Sequence, residues 1–383
     1  MKDSAFDDLR PYCDEEIAPA MERIACHEYF PLLAGYVFPG RDVEQVRQMV
    51  KRIATVDGFQ LQVMKAVNEE VVRCSIRRFS FEGLDRLDRR RRYLFVSNHR
   101  DIMLDATLFQ YALYLTGHRT SEITFGSNLM SSQLAIDIGR SNKMFKVVRG
   151  GSVRDFYANL LHLSQYIRHT VCEKRESVWI AQRNGRTKDG RDATDPAIVK
   201  MFCMSAPDGG PVRALAELNI VPVAVSYQWE TCDGLKAVEL YRSRTEKYVK
   251  QPGEDMNSIL TGITQPKGDV HIAVGTLLTE NILASFDSAS NSRFCKQAAT
   301  WISNRIVANC RLTCNNFIAH DLRSGDSQYA AHYTQAEKDC FVAHCSATVN
   351  AAAVADRNAL RDILLGIYAN PVDAQRALDS MTE

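Results

Sequence analysis

No stretch of the chain stays apolar for the roughly 18 residues that a membrane-spanning helix needs. The best run, 102–116, is interrupted by Asp105 and stops at Gly117. Met1–Asp8 is acidic and lacks an apolar segment, so no secretory signal is expected there. Neither sign of charge dominates: 47 Lys and Arg stand against 46 Asp and Glu, a net +1. Without a global basic field, nucleic acid is not an expected partner, and an anionic ligand has to be held by a local cluster. Internal repeats, low-complexity tracts and a glycine-rich nucleotide loop are also missing. His99-Arg100-Asp101 matches the start of a kinase catalytic loop, but the Asn required five residues later is Ala106 and no Asp-Phe-Gly follows. A kinase is excluded.

The eleven cysteines are odd in number and scattered. Cys310/Cys314 and Cys340/Cys345 have no second pair or histidine set at zinc-ligand spacing. Neither a disulfide framework nor a metal site is expected. Free thiols in a reducing cytosol are the simpler reading, and a cytoplasmic protein, peripheral on the inner membrane face if it meets lipid, is the expectation.

What is present is a globular composition: 383 residues, 45% hydrophobic and 24% charged, enough to bury a sizeable core. Residues 1–80 read as a helical region, with Ile53, Val56, Phe59, Val63, Met64, Val67 and Val71 near helical spacing. The dense run Arg86–Arg92 reads as a solvated connector, or as a patch for anionic lipid. From about 93 the texture changes to short apolar runs (93–96, 123–125, 145–148, 178–181, 220–227, 270–274) separated by amphipathic stretches. Strands joined by helices of that length predict an α/β fold, a mixed, mostly parallel sheet flanked by helices, over 81–285. Pro222 points to an edge strand or a strand start. A helical C-terminal region occupies 286–383.

Three polar clusters sit where predicted strands end, the place where ligands gather in such sheets. The first is Ser97-Asn98-His99-Arg100-Asp101-Ile102-Met103-Leu104-Asp105. A neutral imidazole there serves as general base if a carboxylate holds its other nitrogen protonated. Asp101 and Asp105 are both within range, and Asp101 is also well placed to cap the next helix. The second cluster, Phe145-Lys146-Val147-Val148-Arg149-Gly150-Gly151, places a guanidinium beside two glycines, which suits close approach of an anion. The third, Gln182-Arg183-Asn184-Gly185-Arg186-Thr187-Lys188, packs donors into one loop and fits a phosphate or a solvated turn.

Taken in order with Val221-Pro222-Val223-Ala224-Val225, these pieces resemble the glycerolipid acyltransferase superfamily over roughly residues 93–280. The family is recognised by Asn-His with a downstream Asp, a Phe-apolar-Arg block, a Gly-x-Arg phosphate block and an apolar-Val-Pro-Val strand. Asp195-Pro196, Tyr227 with an acidic residue soon after, and Gly268–Gly275 resemble most the glycerol-3-phosphate acyltransferase branch. Two departures stand out: five residues separate His99 from Asp105 where four are usual, and Asn184 replaces a Glu.

The resemblance implies transfer of a fatty acyl group from an acyl-CoA or acyl-carrier-protein thioester to a phosphorylated glycerol or lysophospholipid, in phospholipid biosynthesis. Catalytic roles fall on His99 with Asp105 or Asp101. Substrate binding falls on Arg100, Arg149, Arg183, Asn184, Gly185, Arg186 and Lys188. No metal and no cofactor beyond the thioester are implied, and contact with a membrane surface is. The competing classes are a thioester or phosphoester hydrolase using the same His/Asp pair, and a catalytically silent lipid-binding homologue.

Overall fold

The computed structural model describes residues 4–130, 132–148, 153–206, 210–287 and 289–381. Seven strands form one sheet: β1 (Ile76–Glu82), β2 (Leu94–Ser97), β3 (Glu122–Gly126), β4 (Met144–Val147), β5 (Val178–Ala181), β6 (Ile220–Tyr227) and β7 (Gly268–Val274), in the spatial order β1-β7-β6-β2-β5-β3-β4. β2 to β6 are mutually parallel. β7 runs antiparallel to β6, and β1 parallel to β7. The predicted α/β class with a mixed, mostly parallel sheet is what the chain adopts.

Alternation along the strands fixes the layers, because successive side chains leave a strand on opposite faces. Leu94, Val96, Val178 and Ile180 join one core with the helices Val153–Arg168, Pro196–Cys203 and Asn291–Asn309. Phe95, Trp179, Val221 and Val223 turn the other way, onto helix Leu104–Leu115. Burial on both faces explains why these strands read as continuous apolar runs. The N-terminal helices hold a separate core around Ile17, Phe30 and Phe59. Helix Asn291–Asn309 packs directly on the sheet, while Cys314–Ser324, Gln335–Ala351 and Arg357–Asp379 gather around Phe341 and Leu364.

Three features differ from the sequence reading. Ile76–Glu82, inside the region read as helical to residue 80, is an edge strand, with Arg77 and Arg78 exposed. Exposed cations on an edge both hide the apolar signal and discourage pairing with another chain. Pro222 lies in an interior strand, but at the end of the β6–β7 ladder, where it contributes only its carbonyl, which accepts the Gly275 N–H at 2.8 Å. Two helices unforeseen in the sequence, Asp233–Arg242 and Glu254–Thr264, fill the β6–β7 connection. The second of them covers the loop that follows β2.

Candidate functional site

The parallel strands β2 and β5 are neighbours in register, Ser97 beside Ala181, so the loops that follow them emerge side by side. The Thr187 N–H donates to the His99 carbonyl at 2.7 Å, and the Gln182 N–H to that of Ser97 at 2.7 Å. The His99 cluster and the third polar cluster are therefore joined by backbone.

In the β2 loop, Asn98 is fully buried and extends the β2–β6 pairing with its side chain. Its Oδ1 accepts the Val225 N–H at 2.8 Å, and its Nδ2 donates to the Val225 carbonyl at 3.0 Å and to Asp192 at 2.9 Å. His99 Nδ1 stands 3.0 Å from Asp105 Oδ2. The same carboxylate oxygen accepts the N–H groups of Arg100 at 2.6 Å and Asp101 at 2.8 Å, and the Tyr227 hydroxyl donates to Oδ1 at 2.8 Å. Asp105 is thus held by four donors. The backbone curls over the first helical turn, and this curl absorbs the extra residue between His99 and Asp105.

A carboxylate facing Nδ1 fixes the proton there, leaving Nε2 as the basic nitrogen. Nε2 meets no partner among the described residues, and the ring keeps 14% of its side-chain surface open. Trp179 stands edge-on to the imidazole, 6.0 Å between ring centres. Burial and the nearby Asp105 charge push the Tyr227 hydroxyl well above its usual range, so it stays a donor.

Asp101 has a different job. Its Oδ1 accepts the Met103 and Leu104 N–H groups, both at 2.9 Å, and so caps helix Leu104–Leu115. Its Oδ2 is buried without a hydrogen bond and lies against Gly262, where a Cβ would come within 2.2 Å. The ring's partner is Asp105.

The expected anion-binding residues separate into groups. The Arg100 guanidinium is buried and spent on Asp192 (2.7 Å) and Glu230 (3.2 Å). Burial would lower its pKa, but the two carboxylates outweigh that and hold it protonated. It faces the interior, not a substrate. Lys188 is engaged by Glu239. Arg149 lies outside the described residues. Asn184 is exposed, and Gly185 turns the loop at a φ of +75°. Arg183 is half-buried with no hydrogen bond or ion pair among the described residues.

Arg186 is the informative cation. One amino nitrogen donates to Ser258 Oγ at 3.2 Å, and the other, NH1, is buried and makes no hydrogen bond by geometry among the described residues, with the Cys232 thiol close to the guanidinium. Ser258 and Gly262 lie one turn apart on a single face of helix Glu254–Thr264. That face therefore touches Arg186 and Asp101 together, which puts an unspent guanidinium donor beside the histidine loop.

The loop's far end is pinned by helix Arg357–Asp379. Pro371 has no N–H for the Ile367 carbonyl, and Gly190, at a φ of +78°, packs against that oxygen so closely that a Cβ would lie 2.2 Å away. Asn370 adds a hydrogen bond to the Asp189 carbonyl at 2.7 Å. Sequence reasoning passed over Asp192, Glu230, Tyr227 and Ser258 as site residues. Tyr227 and the acidic residue soon after it carried a local signal, at the end of a strand that the structure places beside the histidine strand.

Two other features lie apart from this site. A cavity of about 250 Å³ runs along helix Leu104–Leu115, lined by Lys65, Asn68, Thr107, Gln110 and Tyr111 among others, and contains none of the groups above. The Arg89–Arg92 run enters β2 at its N-terminal end, opposite the end that carries His99. No helix among the described residues is long and apolar enough to cross a membrane.

No protein-family model and no curated protein matches the chain. Among solved structures it is similar to the 1-acyl-sn-glycerophosphate (LPA) acyltransferase PlsC from Thermotoga maritima, at 12% identity and a TM-score of 0.36, over 76% of this chain and 95% of that one. So loose a likeness decides nothing about the site, which stands on its own geometry.

Proposed function

We propose that the protein is an O-acyltransferase that moves a fatty acyl group from a thioester to a hydroxyl of a phosphorylated glycerol-type acceptor. The observation that carries the reading is the chain Tyr227–Asp105–His99, which ends on an imidazole nitrogen with no partner among the described residues. His99 Nε2 takes the acceptor's hydroxyl proton as that oxygen attacks the thioester carbonyl. The C–S bond breaks as the new ester C–O bond forms, and the leaving thiolate takes the proton back from the His99 imidazolium, which regenerates the base. Asp105 stabilises the imidazolium formed in the step, and Tyr227 and two backbone N–H groups keep Asp105 from turning away.

The acceptor's phosphate is assigned to Arg183 and Arg186, cations of the β5 loop with no carboxylate partner among the described residues. A charge-assisted contact of this kind contributes about 1.5–3 kcal/mol. The thioester is already an activated acyl donor, so positioning the two substrates supplies most of the remaining acceleration.

The test is labelled acyl-CoA offered with glycerol 3-phosphate, with lysophosphatidate and with no acceptor, the products being resolved by lipid chromatography. Ester formation that requires one of the acceptors is expected. His99→Ala lowers it by about 10²–10⁴-fold, with the circular dichroism spectrum and melting temperature unchanged. Free fatty acid released equally without an acceptor would make the protein a hydrolase. Full turnover by His99→Ala would remove the mechanism.

A further inference from the structure

Far from the histidine loop in sequence, the C-terminal helices hold a second polar cluster with an unresolved conflict inside it. Helix Cys314–Ser324 ends at Gly325, whose φ of +75° turns the chain back on itself. The turn carries Asp326 over the last helical residues, so that ligand atoms of His320, Asp321 and Asp326 all lie within 4.8 Å of one another. Asp321 is buried, and its carboxylate is locked in place. The Tyr329 N–H lies 3.1 Å from each oxygen, and the Tyr333 hydroxyl donates to Oδ2 at 2.8 Å.

The His320 side chain is nine-tenths buried, and its Nδ1 makes no hydrogen bond. That nitrogen faces Asp321 Oδ1 at 3.7 Å, while Nε2 faces Asp373 Oδ1 at 3.5 Å. Tyr329 stands edge-on to the ring at 4.9 Å and fixes its plane. With the proton on Nε2, toward Asp373, the Nδ1 lone pair points at carboxylate oxygens. Two buried acceptors, His320 Nδ1 and the Asp321 carboxylate, then face each other with the exposed Asp326 carboxylate beside them, and facing acceptors are costly in a buried setting.

We propose that His320 Nδ1, Asp321 and Asp326 bind one divalent first-row transition-metal ion, with Asp373 holding the imidazole from behind. A carboxylate on the far nitrogen of a metal-bound histidine is the usual way to set its tautomer and raise its basicity. Tyr329 and Tyr333 orient Asp321 in the same manner. Donors at roughly 2.0–2.2 Å from a shared ion require only a small closure of the present cluster. One imidazole with two carboxylates suits such an ion better than calcium or magnesium, which take oxygen donors.

The ion ties helix Cys314–Ser324 to the turn that follows it. Through Asp373 it also ties in helix Arg357–Asp379, within one turn of Asn370 and its contact with the Asp189 loop. The site belongs to no step of the proposed acyl transfer, and its binding is measured without turnover.

The experiment titrates manganese(II) chloride into metal-free, full-length protein with its cysteines reduced, counting free ion by electron paramagnetic resonance. Mn²⁺ is chosen because thiolates compete for softer ions. One saturable site per chain is expected, with a rise in melting temperature on binding. His320→Ala abolishes both. Asp326→Asn, which alters an exposed turn residue and leaves packing intact, weakens binding more than tenfold, and it decides the matter if the histidine variant misfolds. No saturable binding below millimolar Mn²⁺, or equal binding by Asp326→Asn, overturns the proposal.

Discussion

The loops after β2 and β5 start level with each other and treat their polar groups in opposite ways. In the β2 loop, Asn98, Arg100, Asp101 and Asp105 are all buried and turned inward to carboxylates, backbone or helix termini, and His99 Nε2 alone is offered outward. The β5 loop is held by the Gln182 and Thr187 N–H groups and, further on, by Gly190, while between the first two Arg183 and Arg186 NH1 make no hydrogen bond among the described residues. A group that must move a proton needs its orientation fixed in advance. Groups that must grip an anion need donors left over. On the proposed function, the difference between the loops is a division of labour between positioning and binding, and it predicts that equivalent-looking arginines, Arg100 and Arg186, fail in different ways.

The widest separation is expected when each arginine is replaced by methionine. Arg100→Met leaves Asp192 buried without its cation, and breaking a buried pair in this way costs about 3–5 kcal/mol of stability. Chemical denaturation should show it as a lowered midpoint, with the KM of whatever protein remains folded unchanged. Arg186→Met removes a donor that serves little inside the protein. Stability should hold, while KM for the phosphorylated acceptor rises by roughly tenfold to a hundredfold, as loss of about 1.5–3 kcal/mol requires. Reversal of the two phenotypes would mean that the loops have been assigned the wrong way round.

How much of this was written locally in the chain follows the same division. The strand-then-histidine segment 94–105 was legible because strand, base, cap and carboxylate lie within a dozen consecutive residues. The strands β2 to β7 were legible because burial on both faces leaves little but apolar side chains in them. The fate of the cations was not legible. Arg100 meets Asp192 and Glu230, and Lys188 meets Glu239, across separations that no local pattern encodes. A sequence shows that a residue carries charge but not whether a carboxylate has already claimed it. β1 was hidden for a related reason: Arg77 and Arg78 interrupt its apolar alternation, and their shared partner, Asp269, lies on β7. Helix Glu254–Thr264 escaped notice because its fully buried residues are Ser258 and Gly262, which serve close approach and not apolar bulk.

Within the β2 loop, a smaller effect sharpens the comparison. Tyr227→Phe keeps the buried ring and deletes one of the four donors to Asp105. Turnover is expected to fall about tenfold, with acceptor KM unchanged, because the carboxylate keeps its two backbone donors and His99. That is near the low end for a hydrogen bond to a charged group. An unchanged kcat would mean that Tyr227 merely fills space. A loss as large as that of His99→Ala would mean that it acts on substrate directly.

A last effect, read as a pH dependence, concerns Lys267, a buried cation near the β2 loop that no carboxylate contacts among the described residues. Lys267 is fully buried, and its ammonium donates to Ser75 Oγ at 2.8 Å and to the carbonyls of Gln265 and Ile263 at 2.7 and 3.1 Å, at the end of the helix that covers Asp101. Burial lowers its pKa from 10.5 to about 8, against a partial counter-pull from the Asp101 charge. Between those two values the unfolded chain binds more protons than the folded one, so this group makes stability rise with pH across that window. Below pH 8 its full cost is present. The denaturation midpoint of the wild type minus that of Lys267→Met should therefore climb from about pH 8 to pH 10.5, the subtraction cancelling the cysteines and tyrosines that titrate in the same range. A flat difference would mean that the ammonium is neutralised after all, and the β2 loop's internal balance of charge would have to include it.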